Sequence, residues 1–225
     1  MNLETELIER QLQAVRTEYL RRMTGGEGDL LRQVEVYTAS RSGKMLRPRL
    51  LLAAAAQDPL TPRTLFLATA VEMLHNASLL HDDVIDRDLT RRGQPSVNAQ
   101  WNNSVAVLVG DYHLVSIMQL LSEIGDTEVT KKFNATVKSM VEAELLQQEL
   151  DTNHLTPATY LKIIDGKTAN LFSLAAELGN PNYRDYGLHY GRLFQLRDDI
   201  ADGEATPFTA DLIAQEEKIL QETTL

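Results

Sequence analysis

Apolar residues recur every three or four positions along almost the whole chain, the spacing that lines one face of a 3.6-residue helix. Alternation of β-branched residues over strand-length runs is scarce, so the pattern predicts an all-α protein. Helices are expected over about residues 3–23, 29–40, 44–57, 62–88, 101–124, 127–151, 157–178, 184–203 and 209–222, with ends uncertain by two to four residues. Thr61-Pro62 and Thr156-Pro157 each place a capping hydroxyl before a proline at the first helical position, and Gly25-Gly26, Gly93 with Pro95, and Gly179-Asn180-Pro181 mark loops. The longest apolar stretch, 65–80, is broken by Glu72, His75 and Asn76, which suits a buried helix better than a membrane span, and no transmembrane segment is predicted. No linker, repeat or low-complexity tract interrupts the chain, so residues 1–225 are expected to form one helical domain.

Of the 225 residues 43% are apolar, enough for one substantial core, and the formal charge of −10 argues against a nucleic-acid partner, which would be held through basic surface. An anionic substrate would therefore need metal ions and locally placed bases. The absence of cysteine excludes disulfides, thiolate metal sites and a cysteine nucleophile. The N-terminal MNLETELIERQLQAV is charged and lacks the apolar core of a signal peptide, so a cytoplasmic protein is expected.

Two copies of one acidic pattern stand out: Asp82-Asp83-Val-Ile-Asp86 and Asp198-Asp199-Ile-Ala-Asp202. Positions i and i+4 share a helix face, so Asp82 with Asp86, and Asp198 with Asp202, repel one another unless a cation lies between them. Oxygen-only ligands suit Mg2+, which is typically held by one or two carboxylates together with substrate phosphates, and the pattern points to a diphosphate ligand. Steps of 100° per residue bring His75, Leu79, Asp82 and Asp86 onto one stripe. Arg91 and Arg92 before Gly93 can grip phosphate oxygens, and Lys44 and Arg47 would share a face if helical, offering a second anion site. Lys167 and Thr168 follow Gly166 without the glycines of a P-loop, Gln195 stands one turn before Asp198 and Asp199, and Glu142, Glu144, Gln147 and Gln148 form a mixture of solvated face and site wall.

Taken together, GKxLRP at 43–48, Glu72 to His75, HDDVID at 81–86, RRG at 91–93, VLVGDY at 107–112, KT at 167–168 and FQxxDD at 194–199 resemble the trans-prenyl diphosphate synthases of polyprenyl type, over most of residues 40–202. The resemblance implies the all-α isoprenoid-synthase bundle, usually a homodimer, and Mg2+-dependent condensation of isopentenyl diphosphate with an allylic prenyl diphosphate. It implies metal binding by Asp82, Asp83, Asp86, Asp198, Asp199 and Asp202; Lys44, Arg47, His75 and Arg92 would bind isopentenyl diphosphate, while Arg91, Lys167 with Thr168, and Gln195 would face the allylic diphosphate. No side-chain general base is assigned, since the departing diphosphate can take the proton. A prenyl tail anchored at Asp82 runs back along its helix at roughly 5 Å per isoprene unit, about one turn, and the small Ala77 and Ser78 leave it room, so a product longer than C15 is expected. Residues 203–225 hold one base, Lys218, where relatives continue with a lysine- and glycine-containing loop and further helices, so the bundle is expected to be shortened there. Three other readings remain open. They are a phosphohydrolase using His75, His81 and Asp82, a non-catalytic subunit completed by a heteromeric partner, and a terpene cyclase, against which Lys44, Arg47 and His75 weigh.

Overall fold

A computed structural model describes residues 3–40, 43–150 and 155–223; the last residue of the helix expected over 127–151 lies outside the described residues. Helices account for 81% of the chain and strand for 2%. Eleven α-helices follow in order among the described residues: α1 Leu3–Met23, α2 Asp29–Ala39, α3 Leu46–Ala55, α4 Pro62–Ile85, α5 Val97–Gln100, α6 Asn103–Ile124, α7 Thr127–Glu149, α8 Pro157–Ile164, α9 Asn170–Gly179, α10 Arg184–Asp202 and α11 Thr209–Glu222. The chain forms two compact units, Met1–Leu52 with Gln57–Asp126, and Ala53–Ala56 with Thr127–Leu225.

The capping signals work as the sequence expects. Thr61 accepts from Thr64 N at 3.2 Å to start α4, Thr156 accepts from Thr159 N at 3.1 Å to start α8, and the following prolines occupy the first helical positions. Three expectations are revised. Helix α3 begins at Leu46, so Lys44 lies in irregular chain before it, and its helical pairing with Arg47 is not made. Residues 90–95, expected as a loop, form a two-stranded ribbon of β1 Thr90–Arg91 and β2 Gln94–Pro95, whose two-residue turn places Arg92 (φ 54) and Gly93 (φ 74) in left-handed conformation, as a tight hairpin demands. The helix expected over 157–178 is divided by a π-helical segment at Asp165–Ala169, where one wide turn displaces the register between α8 and α9.

In the first unit α4 packs along α6, and their glycine-mediated approach is close: a Cβ on Gly110 would lie 2.3 Å from the His81 ring. Leu80, Val97, Ala106, Val109 and Val34 form a core cluster joined by Val84, Tyr37 and Trp101. A buried polar knot ties α1, α2 and α6 together. Tyr19 donates to Glu35 Oε2 at 3.2 Å, and His113 Nε2 lies 2.7 Å from Glu35 Oε1, with its Nδ1 3.2 Å from the Met73 carbonyl of α4. His113 thus bridges the Glu35 carboxylate and the Met73 carbonyl inside the first unit. Helix α6 is the one described helix long and apolar enough to cross a membrane, with 44% of its apolar window buried inside the protein. In the second unit α9 and α10 pack together, and Tyr160, Ile164, Leu196 and Leu212 form a core cluster capped by Phe208.

Candidate active site

Both aspartate clusters close a helix, and they do so in the same register. Helix α4 ends at Ile85; Asp86 N donates to Asp82 O at 2.8 Å, which keeps the two residues one turn apart although the helix stops three residues sooner than expected. Arg87 then turns left-handed (φ 58) and Asp88 N donates back to Asp83 O at 2.9 Å. At the end of α10, Gly203 is left-handed (φ 78) and Glu204 N donates to Asp199 O at 2.7 Å. In each case the middle aspartate's carbonyl receives the six-to-one bond of a Schellman turn. Carboxylates therefore gather at the negative end of a helix dipole, and neither α4 nor α10 carries a basic residue in its last turn. Such an end favours a cation nearby, and Arg91 already supplies one to the first cluster. The donor set is oxygen only, and among the described residues no three acidic or imidazole side chains converge into a protein-only cage; one or two carboxylates per ion is what Mg2+ accepts when phosphate and water complete its shell.

The three aspartates of each cluster are not equivalent. Asp86, Asp198 and Asp202 are exposed and Asp82 half-buried, whereas Asp83 and Asp199 are 3% and 7% exposed. Asp83 Oδ1 accepts from Arg91 Nε at 2.8 Å and from Arg91 Nη2, and Asp88 adds a second acidic contact to the same guanidinium. Burial pushes the Asp83 carboxyl above the ordinary range while Arg91 pulls it down. Asn98 of α5 clasps the turn, donating to both the Asp83 and the Asp88 carbonyls at 3.0 Å. Asp199 accepts from Gln195 Nε2 at 2.7 Å and from the Tyr160 hydroxyl, and Gln195 in turn accepts from Thr168 Oγ1 at 2.6 Å. Burial and the Asp199 carboxylate push the Tyr160 phenol up to about 12, so it remains a donor. Tyr160 and Asn98 were not singled out by sequence reasoning. Their only sequence signal is apolar spacing for the first and a short turn for the second.

Among the bases of the first unit, Arg47 is buried and its Nη1 lies 3.2 Å from His75 Nε2. Burial, reinforced by Arg47, Arg92 and Arg91, holds His75 well below the usual imidazole range, so the ring is neutral near pH 7. A guanidinium only donates, hence Nε2 accepts and Nδ1 carries the hydrogen. Because the folded value is depressed, the unfolded chain takes up the proton first as pH falls through about 6.5, and stability drops below that pH by at most about 1.4 kcal/mol per unit for this group. Chemical denaturation of His75→Gln should show a flatter acid limb between pH 6.5 and 5; an unchanged slope would assign the proton uptake elsewhere. Arg92 rests on the backbone of Gly43, where a Cβ would come within 2.5 Å of Nη2, and a narrow cavity between α2, α4 and the ribbon brings together Asn76, Leu79, Asp83, Arg91 and Arg92. Glu72 is buried beside Arg47; burial pushes its carboxyl up, and Oε2 has no hydrogen-bond partner among the described residues. Ala77 is packed in the core and Ser78 donates to the His75 carbonyl at 2.9 Å. Lys44 is exposed. His81 Nε2 lies 3.3 Å from the Val107 carbonyl and 3.4 Å from Asp111, so its ring is turned toward α6.

In the second unit the π turn carries Lys167 and Thr168. Gly166 makes the turn fit, since a Cβ there would stand 2.2 Å from Ala143 Cβ and 2.8 Å from the Ser139 carbonyl. Lys167 reaches α7, where Gln147 Oε1 accepts from its ammonium at 3.0 Å and Glu144 Oε2 lies at 2.6 Å. Arg192 binds Asp165 through two nitrogens at 2.6 and 2.7 Å, fastening the start of the π turn to α10.

Residues 28–215 match the family model described as polyprenyl synthetase. The chain belongs to that family. It is 39% identical over 187 residues to an all-trans-nonaprenyl-diphosphate synthase (geranyl-diphosphate specific) of Rhodobacter capsulatus, covering 77% of this chain and 57% of the relative. It is 32% identical over 219 residues to the octaprenyl diphosphate synthase of Escherichia coli, covering 91% and 68% respectively. Among solved structures, a decaprenyl diphosphate synthase from Rhodobacter capsulatus superimposes with a TM-score of 0.82 at 33% identity, covering 90% of this chain and 69% of the other. The chain thus spans between 57% and 68% of the length of these curated relatives. The isoprenoid-synthase fold expected from the motifs is the fold observed.

Proposed function

We propose that the chain condenses isopentenyl diphosphate with an allylic prenyl diphosphate, extending the prenyl chain by one unit per cycle to a product longer than C15. The reading is carried by the two aspartate clusters, which end their helices in one register with no basic residue in the last turn. Asp82 and Asp86, and Asp198 and Asp202, would hold Mg2+, while Asp83 and Asp199 act as anchors of Arg91 and of Gln195 and Tyr160. The bound ions would supply neutralisation of the leaving diphosphate's charge. Lys44, Arg47, His75 and Arg92 bind isopentenyl diphosphate, with neutral His75 donating from Nδ1; Arg91, Lys167 and Thr168 serve the allylic diphosphate. The allylic C–O bond breaks, the isopentenyl double bond supplies the electron pair of the new C–C bond, and the proton lost goes to the departed diphosphate.

Ala77 and Ser78 support the long product, as do the names of the relatives, which are octaprenyl and nonaprenyl synthases. We further read residues 1–225 as one catalytic domain that works as a homodimer in the cytoplasm. Incubation with isopentenyl diphosphate, farnesyl diphosphate and Mg2+, followed by product chromatography, should show chain growth. Phosphate release without condensation would favour a hydrolase, binding without turnover that a second subunit rescues would favour a non-catalytic component, and farnesyl diphosphate as sole product from shorter starters would remove the chain-length reading.

A further inference from the structure

Glu144 sits inside the second unit on α7, with its side chain 12% exposed, facing an ammonium that is itself 25% exposed. Its two oxygens are used differently. Oε1 accepts from Gln148 at 3.1 Å, a bond within α7. Oε2 lies 2.6 Å from Lys167 Nζ and yet, among the described residues, accepts no directed hydrogen bond; the aligned bond of Lys167 goes to Gln147. The contact is therefore mainly an attraction of charges, and the buried oxygen gives up its hydration without a well-aligned donor in return. A diphosphate offers the same ammonium several oxygens at adjustable angles, and with them charge-assisted bonds of good geometry. The backbone beneath Lys167 cannot drift to meet a new partner, because Gly166 is wedged against Ala143 and Asp165 is clamped by Arg192. What can change is the direction of a four-carbon side chain.

We propose that Glu144 is a resident counter-ion that holds Lys167 in place and gives it up to the allylic diphosphate. It is a positioning residue acting through Lys167, and the inference rests on the reading that the site takes a diphosphate. Glu144 competes with the ligand for the same cation, so neutralising it should strengthen anion binding, the opposite of what loss of a merely supporting contact would do. Glu144→Gln keeps shape and the contact with Gln148. Two measurements test it in the full chain. Calorimetric titration with inorganic pyrophosphate and Mg2+ should show Glu144→Gln binding about three- to tenfold more tightly than wild type, as expected for loss of one partly buried competing charge, and the gain should vanish when Lys167→Met is added. Labelling of Lys167 by an amine-reactive reagent, read by mass spectrometry, should be severalfold faster in Glu144→Gln and slowed by pyrophosphate in both proteins. Equal or weaker pyrophosphate binding by a folded Glu144→Gln, a gain that persists without Lys167, or unchanged labelling would each overturn the counter-ion role and leave the diphosphate reading standing. Faster labelling with no binding of, or protection by, pyrophosphate in any variant would overturn the diphosphate reading itself, and the exchange with it.

Discussion

Asp82→Ala and Asp198→Ala are each expected to lower the condensation rate by about a hundredfold to a thousandfold or more, the scale on which removal of one electrostatic stabiliser from an active site acts. Each change removes a carboxylate of the proposed metal site from a helix end that has no basic residue in its last turn, so without the ion little positive charge stands there to neutralise a leaving diphosphate. Folding should survive: relief of like-charge repulsion at a helix C-terminus is neutral or mildly favourable. The decisive comparison is product formation against thermal stability in the same preparations. A variant that condenses at near wild-type rate, or that loses activity only by unfolding, would remove the proposed metal role from that residue.

The second large effect is on stability. Arg91→Leu is expected to destabilise the fold by about 2–3 kcal/mol, at or just below the range of about 3–5 for breaking a fully buried ion pair, because the Arg91 side chain remains 35% exposed while the Asp83 side chain is 5% exposed and would be left without its cation. Adding Asp83→Asn should restore a good part of the loss, since an amide needs no counter-ion. The sign with pH follows from burial, which already pushes the Asp83 carboxyl up: a neutral carboxyl tolerates the site, so the deficit of Arg91→Leu should be full near pH 7 and shrink as pH falls toward 4. Urea denaturation of the single and double variants at both pH values measures this. A deficit below about 0.5 kcal/mol, typical of an exposed pair, would show that Arg91 and Asp83 do not depend on each other.

Much of the fold was legible because it follows from local rules. Thr61-Pro62 and Thr156-Pro157 announce their helices by capping chemistry alone, and the ends of α1 and α11 follow from periodicity. The π turn was hidden, since one extra residue in a wide turn shifts an apolar pattern no more than ordinary boundary error does. The ribbon at 90–95 was hidden because two-residue strands have no periodicity to read. In the candidate site the clusters themselves were plain, but the division of labour within them was not. Asp82 and Asp83 are the same residue type side by side, and what separates them is a guanidinium eight residues later and a helix end between. Likewise Asp199 owes its inward position to Tyr160, which comes from another helix, and Glu144 acquires its meaning only when the π turn delivers Lys167 to it.

The shared helix ending limits where such a chain can gain or lose a residue. Inserting or deleting a single residue ahead of either cluster would rotate it by about 100°, turning a buried, anchoring aspartate toward water and a more exposed one toward the interior. Length changes are thus expected to be tolerated in the connecting loops and rejected in the last turns of α4 and α10. There the phase of the helix, more than the identity of any one acid, keeps an outward carboxylate distinct from an inward one.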